Sequence, residues 1–372
     1  GIGSLTSGDG IKLVQVDGTS SAGALTLTGG QVNVGAFTYL LYNGGQSNPA
    51  DQDWYLRSRM RDLVAPLSSV TRISQDIGLS SLGTLNERVG DRNPDARTGA
   101  LTGLWGRAFG KDYSDTTRST TLGDSRSNGL FGGMQMGIDL YGSQSTHVGV
   151  FGAKVWSGTT DFVTAPFFAN AGITRSNGWV AGGYATFYAP GFYVDAVVQG
   201  GWYDHRANAN DGTSFATKSQ STQASLELGT AFGSSWKIEP QVQLIYSHTS
   251  VDSFLDSTGT AGAIADDDSV IGRAGFRLKR TWDTNPSNAG GLFSFYGKAN
   301  LWNAFSGAKS TVFYGTSTPQ LVEFKQTWAD VGLGTTFSVG TGADFFADAD
   351  VEFGIDQPAT ALSGRVGFRI RW

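Results

Sequence analysis

The chain has 372 residues, no cysteine and a formal net charge of −5, and only 16% of its residues are charged. The lack of cysteine excludes disulfides and thiolate metal sites. The weak acidic charge, without a basic stripe, argues against a nucleic-acid partner. No run of about 18 apolar residues is present, so no transmembrane helix is predicted. Two classes remain: a large soluble β-protein, or a transmembrane β-barrel, whose alternating strands never give a long apolar run.

The first part of the chain, residues 1–58, is rich in Thr and Gly and contains strand-like segments such as "IKLVQVDGTS" and "DQDWYLRS". Short strands with Gly turns are typical of the end of a β-solenoid or of a small sandwich. Trp54, Tyr55 and Leu56 form an apolar cluster near the end of this part. We predict that they cover the last hydrophobic row of a solenoid, which an uncapped edge leaves exposed.

The period then changes within a predicted linker, residues 59–98. Apolar residues three or four positions apart predict a helix over about 66–89: Leu67, Val70, Ile73, Ile77, Leu82, Leu85 and Val89. Gly78 and Gly83 weaken this helix by about 1 kcal/mol each relative to Ala, so we expect it to need protein walls around it. Its polar candidates are Arg72, Asp76, Glu87 and Arg88.

The third part, residues 99–372, has a period of two. In "WKIEPQVQLIYS", apolar residues from Trp236 to Tyr246 alternate with polar residues such as Glu239 and Gln243. Twelve such segments are predicted, each long enough for the ~9–11 residues that a tilted strand needs to cross a bilayer: 99–110, 127–142, 146–159, 176–189, 191–205, 218–233, 236–250, 268–282, 291–305, 322–339, 343–356 and 361–372.

The connections between these segments alternate in length. Tight turns are predicted at 142–143, 190–191, 233–235 and 340–342, and long polar loops at 111–126, 160–175, 206–217, 251–267 and 306–321. Short turns on one side and long loops on the other are typical of outer-membrane barrels, as are aromatic residues near the strand ends. The fold prediction is therefore all-β, with a twelve-stranded antiparallel transmembrane barrel. A soluble β-rich adhesin or lectin is the less favoured class.

The order of four sequence blocks resembles one family. "GDGIKLVQVDG", "FTYLLYNGG", "DQDWYLRS" and a helical linker ending in "LNERVGD" precede the twelve strands and a terminal aromatic residue. This order is similar to the C-terminal translocator of a monomeric autotransporter of type V secretion, of the AIDA-like or pertactin-like kind. The resemblance implies that residues 1–58 are the end of a secreted passenger with an autochaperone role. It also implies that a pore helix and a barrel from residue 99 export that passenger to the surface of a Gram-negative bacterium.

The resemblance also implies partners. They are outer-membrane lipid, the chain's own passenger and the barrel assembly machinery, which would recognise the C-terminal strand through Phe368, Ile370 and Trp372. A monomer is expected. A twelve-stranded barrel is wider than an eight-stranded one, which side chains fill, and a helix is ~10–12 Å wide. The linker helix is therefore expected inside the lumen, facing Asp139, Asp195, Glu227, Glu239, Arg273, Arg277 and Lys298.

Catalytic alternatives are weaker. One branch of the family cleaves its own linker at a pair of Asn residues, but here Gly83 and Thr84 stand at those positions, so no Asn-driven cleavage is expected. The Gly-Asp-Ser run at 123–125 and the acidic run at 266–268 are interpreted as loops, and no catalytic residue, cofactor or metal is predicted. A passive channel stays open as the second function, and an outer-membrane enzyme, which would need a Ser–His pair, as a third.

Overall fold

The structure is a computed structural model, and it describes residues 3–91, 98–164, 168–284, 291–340 and 342–372. Residues 92–97 of the predicted linker and residue 341 of the predicted last turn lie outside the described residues. The described chain forms an N-terminal sheet, two helices, a closed barrel and a small sheet built from loops.

The N-terminal sheet contains β1 (Ile11–Val14), β2 (Val32–Val34), β3 (Phe37–Asn43) and β4 (Trp54–Met60), in the order β1-β4-β3-β2. Every pair in it is antiparallel. The predicted solenoid-like segment is therefore not confirmed, since the coils of a β-solenoid stack their strands in parallel. Trp54 and Tyr55 are buried and Leu56 is half-buried. The Trp54 indole donates a hydrogen bond to Ser20 Oγ at 3.0 Å.

Two helices follow the sheet, α1 (Val64–Leu82) and α2 (Leu85–Val89). The single stripe predicted over 66–89 is interrupted at Gly83, whose φ of +59° lies in the left-handed region that favours glycine. Thr84 then starts α2 with a capping box, in which its hydroxyl accepts from the Glu87 N–H and its own N–H donates to the Glu87 carboxylate. No helix in the described ranges combines the length and apolar character of a membrane span.

In the described residues after α2, the chain forms sixteen strands. They are β5 (Gly99–Thr117), β6 (Ser125–Gly142), β7 (Thr146–Val163), β8 (Ala169–Ala189), β9 (Phe192–Ala209), β10 (Ser214–Thr230), β11 (Trp236–Val251), β12 (Phe254–Leu255), β13 (Ala261–Ile264), β14 (Asp267–Asp283), β15 (Leu292–Ser306), β16 (Lys309–Tyr314), β17 (Gln320–Glu323), β18 (Thr327–Val339), β19 (Ala343–Gly354) and β20 (Ala359–Arg371).

Twelve of these strands close an antiparallel barrel. Each pairs with the next barrel strand along the chain, and β20 pairs with β5 to complete the ring. Side chains alternate as a membrane barrel requires: Val242 and Leu244 are 51% and 53% exposed on the outer surface, whereas Gln241 and Gln243 are buried in the lumen. The twelve-stranded antiparallel barrel predicted from the sequence is confirmed.

Several strands extend beyond their predicted ends. β5 continues to Thr117, β9 continues to Ala209, and β10 begins at Ser214. These extensions all lie at the end of the barrel that carries the long connections. Beyond the bilayer both faces of a strand meet water, so the apolar alternation fades while the backbone pairing continues. Periodicity alone therefore predicted the membrane-spanning part of these strands and not the part that projects from it.

Two of the predicted long loops, 251–267 and 306–321, are partly ordered as a second sheet with the order β12-β13-β16-β17. This loop sheet contacts the N-terminal sheet, where the Ala36 N–H donates to Ser317 Oγ at 2.6 Å. The N-terminal sheet and the long loops therefore lie at the same end of the barrel, which we call the loop end.

Candidate functional site

The linker crosses the barrel lumen as α1. It enters at the loop end, where Met60, Leu63 and Val64 belong to an apolar cluster that also includes Tyr314 and Phe324 of the loop region. All five side chains are buried. The chain then passes through α2 and starts β5 at the opposite end. The cluster closes the loop end of the lumen with apolar side chains, and we call it the mouth cluster.

The helix inside the lumen is buried around its whole circumference. Polar residues of α1 such as Ser74 and Gln75 are as buried as Ile73 and Ile77. Water would hold such a helix poorly, but here wall side chains supply partners. Gln75 Nε2 donates to Ser269 Oγ at 2.8 Å. The barrel wall thus provides the environment that the two glycines made necessary.

Gly78 is the point where the wall approaches α1 most closely on the β9–β10 side. The Gln199 amide donates to the Gly78 carbonyl at 2.8 Å and to Gln223 Oε1 at 2.6 Å. A Cβ atom at position 78 would lie 2.7 Å from Gln223 Oε1. The glycine that weakens the helix therefore leaves room for a hydrogen bond between the wall and the helix backbone.

An ionic cluster surrounds the first predicted polar pair of the helix. Arg72 Nε donates to Asp76 at 3.0 Å and lies 3.9 Å from Asp115 on β5. Lys325 bridges Asp115 at 3.1 Å and Glu352 at 2.5 Å. All these groups are buried. Since a buried charge is costly unless it is paired, the network fixes α1 at one height in the lumen.

Arg107 on β5 serves the C-terminal end of α1. Its guanidinium donates to the carbonyl oxygens of Ser80 and Ser81 and, at 3.0 Å, to that of Glu87. The last carbonyls of a helix have no partner within the helix and carry partial negative charge. Gln135 Nε2 also donates to the Ser81 carbonyl, at 3.1 Å. Wall side chains thus replace the partners that the helix loses where Gly83 ends it.

The helix α2 carries the second set of predicted polar residues. Glu87 lies 2.6 Å from Lys298 and 3.1 Å from Arg365. Arg88 lies 2.6 Å from Asp195, and its guanidinium carbon lies 4.9 Å from the centre of the Tyr184 ring. Both residues of α2 therefore form ion pairs with the lumen wall, from opposite sides of the helix.

Other predicted wall residues reach the linker or one another. Glu227 accepts a hydrogen bond from the Leu85 N–H at 3.0 Å, and Arg273 lies 3.5 Å from Glu227. Arg277 joins Glu239 on the wall, at 3.0 Å, to Asp91 after α2, at 2.7 Å.

Among the described residues, the remaining predicted wall residue, Asp139, forms no hydrogen bond or ion pair with either helix. Asp139 faces the lumen and pairs with Arg369 at 3.0 Å, with His147 at 3.1 Å and with the Tyr184 hydroxyl at 2.6 Å. These partners all belong to the wall. Asp139 thus joins β6 to β7, β8 and β20, and other wall residues hold the linker.

Carboxylates that could hold a cation are already paired. Glu87, Asp348 and Asp350 place one oxygen each within 4.8 Å of one another. Lys298 lies within hydrogen-bond or ion-pair distance of all three, and so does Arg365. Lys298 and Arg365 therefore offset two of the three negative charges, and their shared pairing with Glu87 holds α2 against the wall.

A buried histidine lies beside α1. His205 Nε2 is 2.7 Å from Ser219 Oγ, and Nδ1 is 2.7 Å from Ser176 Oγ. Ser74 of α1 lies 2.8 Å from Ser219 and covers the pair. This is a Ser–His contact of the kind that an enzyme uses, but the second ring nitrogen faces a hydroxyl, whereas a catalytic triad places a carboxylate there. The contact instead joins the helix to β8, β9 and β10.

Sequence reasoning missed Arg107 and Arg365 as linker partners. It also missed Lys325, which joins Asp115 and Glu352 in the ionic cluster beside Arg72. Arg107 lies on β5 between the inward-facing aromatic residues Trp105 and Phe109. A single cation between two large inward-facing aromatic residues was a signal in the sequence that the Arg107 side chain reaches the centre of the lumen. Lys325 lies outside the regular strands, so periodicity could not have assigned its direction.

The C-terminal strand closes the barrel. β20 pairs with β19 and β5, and the Trp372 N–H donates to the Thr102 carbonyl at 3.3 Å. Ile370 and Trp372 are exposed on the outer surface, and Phe368 is half-buried. The terminal aromatic residue thus belongs to the last strand and lies at the end opposite the long loops.

A closed antiparallel barrel with its own chain threaded through the lumen defines a class: outer-membrane barrels that hold a segment of their own polypeptide in the pore. The model of the autotransporter β-domain family matches residues 104–350. The chain therefore belongs to the autotransporter β-domain family, whose barrels lie in the outer membrane of Gram-negative bacteria.

Curated relatives include the adhesin BmaC autotransporter of Brucella suis, 29% identical over 425 aligned residues, which span 100% of this chain and 12% of that protein. The uncharacterized protein YuaQ of Escherichia coli is 28% identical over 73% of this chain and 22% of its own length. The chain thus spans a small part of these two relatives.

Solved structures share the fold. The transport unit of the autotransporter AIDA-I from Escherichia coli superposes with a TM-score of 0.61 at 15% identity, covering 81% of this chain and 97% of that one. The translocator domain of NalP from Neisseria meningitidis gives 0.55 at 16% identity, covering 73% and 89%.

Proposed function

We propose that this chain is the translocation unit of an autotransporter, which exports and displays its own N-terminal passenger. One observation carries the proposal: the chain forms a folded sheet at the loop end, enters the lumen there as α1 and continues through α2 toward the end where β5 begins. A segment in this arrangement is the remainder of a chain that passed through the pore. Residues 1–58 would then be the membrane-proximal end of the passenger, and 59–98 the linker.

The proposal includes partners and a non-enzymatic role. The barrel would insert as a monomer through the barrel assembly machinery, which would bind the strand that contains Phe368, Ile370 and Trp372. The exposed position of Ile370 and Trp372 on the closing strand supports this role. The relatives in the same family, one of them called an adhesin, support a unit that displays a passenger and has no catalytic role of its own.

A passive channel is the second candidate function and is less well supported. A channel needs an aqueous lumen, whereas here α1 and α2 occupy it and form buried ion pairs with the wall on several sides. The outer-membrane enzyme considered from the sequence needs a Ser–His pair, and His205–Ser219 is such a contact. That contact is buried behind Ser74 of the helix and gives a substrate no access.

Surface display tests the proposal directly. A secretion signal and a small epitope-tagged reporter are placed before Gly1 of the full chain, and intact cells are treated with an external protease. We expect the reporter to be accessible on the cells and the barrel to be protected. The matched control deletes Phe368 to Trp372, which should prevent both insertion and display. A reporter that stays in the periplasm while the barrel is inserted would contradict export.

A further inference from the structure

Basic side chains cluster on the outer surface of four neighbouring strands. Lys154, Arg175, Arg206 and Lys218 lie on β7, β8, β9 and β10 respectively, which are consecutive in the barrel. Arg175, Arg206 and Lys218 are exposed, and Lys154 is half-buried. We call these four residues the outer basic cluster. Charges on this surface are unusual, since most of it faces lipid.

The strand register places like charges together. Arg175 lies directly opposite Arg206 in the β8–β9 pair. Lys218 lies between two carboxylates, opposite Asp204 of β9 and next to Asp252, whose N–H donates to the Lys218 carbonyl. Directly opposed like charges on one face of a sheet are destabilising. The register therefore leaves an electrostatic cost that an anion bound between the two guanidinium groups would remove.

The cations of the cluster are largely without protein partners. Among the residues that the structure describes, the side chains of Arg175, Arg206 and Lys218 form no ion pair or hydrogen bond. Lys154 donates a long hydrogen bond to Asn177, 3.4 Å, and its Nζ lies 4.8 Å from the centre of the Trp179 ring. Four cations against Asp204 and Asp252 leave a formal charge of +2. This differs from the lumen, where Arg and Lys side chains such as Arg88 and Lys298 are paired.

The two arginines of the cluster lie at a defined height, whereas Lys154 is opposite Trp179 at the level of the aromatic residues. Trp179 and Trp202 are directly opposite each other on the outer surface, 61% and 52% exposed, and such aromatic residues mark the edge of the hydrocarbon layer. Arg175 and Arg206 each lie four positions from them toward the loop end. At about 3.3 Å per residue along strands tilted about 45°, this is roughly 9 Å above the aromatic residues. That is the headgroup level of the leaflet at the loop end.

We propose that the outer basic cluster binds the phosphate groups of a lipid headgroup in the outer leaflet. Arginine forks match phosphate oxygens in pairs, and the opposed Arg175 and Arg206 present two of them. A polar groove of about 1130 Å³ adjoins Arg175, Arg206 and Lys218 and extends to Ser257 of the loop region, which gives space for a bulky headgroup. The apolar surface beyond Trp179 and Trp202 takes the acyl chains, so the surface recognises a lipid and not phosphate alone.

Thermal unfolding of the full chain in detergent tests this site. The midpoint is measured in mixed micelles that contain a phosphorylated glycolipid, a neutral diacyl lipid, or inorganic phosphate at the same phosphate concentration. The variants are the R175Q/R206Q double variant and, as a matched control, Arg126→Gln. Arg126 is also an exposed outward arginine, on β6, but it already donates to Ser114 and Asn128.

We expect the phosphorylated lipid to raise the midpoint of the unmodified chain and of Arg126→Gln. The double variant should lose at least half of that shift. An equal shift in the double variant would overturn the site. A full shift with inorganic phosphate or with the neutral lipid would overturn its assignment to a phosphorylated lipid. If the double variant does not insert, Lys218→Gln alone should reduce the shift, and an undiminished shift there would count against the proposal.

Discussion

Arg88 of the linker and Asp195 of the barrel wall lie 2.6 Å apart although 107 residues separate them in the chain. Both side chains are buried, and Asp195 also accepts a hydrogen bond from the Thr186 hydroxyl at 2.6 Å. This pair shows how the linker is held: single ionic contacts connect it to separate strands, and together they fix its height and rotation.

Replacing one partner of this pair should lower the free energy of unfolding more than replacing both partners. Arg88→Met or Asp195→Leu alone leaves a buried charge unpaired, which costs about 3–5 kcal/mol. The double variant replaces both charges with apolar groups and should be close to the original stability. Urea unfolding of the refolded barrel in detergent measures the difference. A double variant destabilised by the sum of the two single effects would show that the charges contribute independently of each other.

Removing the helix should open the pore. Deletion of residues 66–90 takes away α1, α2 and their ion pairs, so single-channel conductance in planar bilayers should rise well above that of the intact chain. The barrel should still insert, with modestly lower stability. The variant Leu63→Asn, which changes the mouth cluster but keeps the helix, serves as a control with a smaller rise. Indistinguishable conductance of the deleted and intact chains would show that the helix does not limit the pore.

The cost in unfolding free energy of an arginine substitution on the lipid face should depend on the depth of the residue in the bilayer. Val242→Arg or Leu244→Arg on β11 should cost about 2–4 kcal/mol if placed near the bilayer midplane, falling to about 0–1 kcal/mol near the interface. Gln220→Arg, outward on β10 at the height of the aromatic residues, should therefore be mild. Gln243 is not a neutral control, since it donates to the Gly83 carbonyl and accepts from Arg273. Equal tolerance of Leu244→Arg and Gln220→Arg in urea unfolding would refute the depth assignment.

The effect of Gly78→Ala on stability should change sign when Gln223 is replaced. In a solvated helix this change stabilises by about 1 kcal/mol, but here the new Cβ would collide with the Gln223 amide. We expect Gly78→Ala to destabilise the intact chain and to become neutral or stabilising in a Gln223→Ala background. A stabilising effect in both backgrounds, measured by thermal unfolding, would show that Gln223 moves freely and that the glycine is not needed for space.

The N-terminal sheet should loosen in acid. The hydrogen bond from Lys12 Nζ at 2.5 Å, and then that from the Val16 N–H at 2.8 Å, lower the pKa of the Asp53 carboxyl below its ordinary value. Because the folded pKa is depressed, the stabilisation is present above about pH 4 and is lost as the pH falls through the lower folded value. The hydrogen-exchange protection of β1 and β4, relative to the intrinsic exchange rate at each pH, should therefore fall below about pH 4. Asp53→Asn should remove this pH dependence.

The autochaperone role proposed for the Trp54 region separates folding of the surface segment from insertion. Trp54 is buried, and its indole holds Ser20 in place. Trp54→Ala combined with Leu56→Ala should leave the barrel heat-modifiable on gels and inserted, while residues before Met60 become sensitive to external protease. Full protection of that segment would contradict the role.

The barrel was predictable because its chemistry repeats. Alternation along β11 and the paired turns specify strands, faces and topology without knowledge of any single contact. The contacts of the linker were less predictable. The sequence indicated that Glu87 and Arg88 would be paired, yet the partners of Glu87 come from β15 and β20, and strand register decides which side chains meet. The antiparallel pairing of the N-terminal sheet was not predicted, because side chains alternate in the same way in parallel and antiparallel strands.

The dependence of α1 on Arg107 also bears on the order in which the chain can assemble. The carbonyls of Ser80 and Ser81 acquire this donor from β5, and Gln135 of β6 adds another. Neither donor is in position until β5 and β6 are paired. The last turn of the helix therefore becomes stable only at a late stage, when the wall around it exists. Before that stage these carbonyls lack their wall donors, so the helical form of this turn has less advantage over the extended form that fits along a pore.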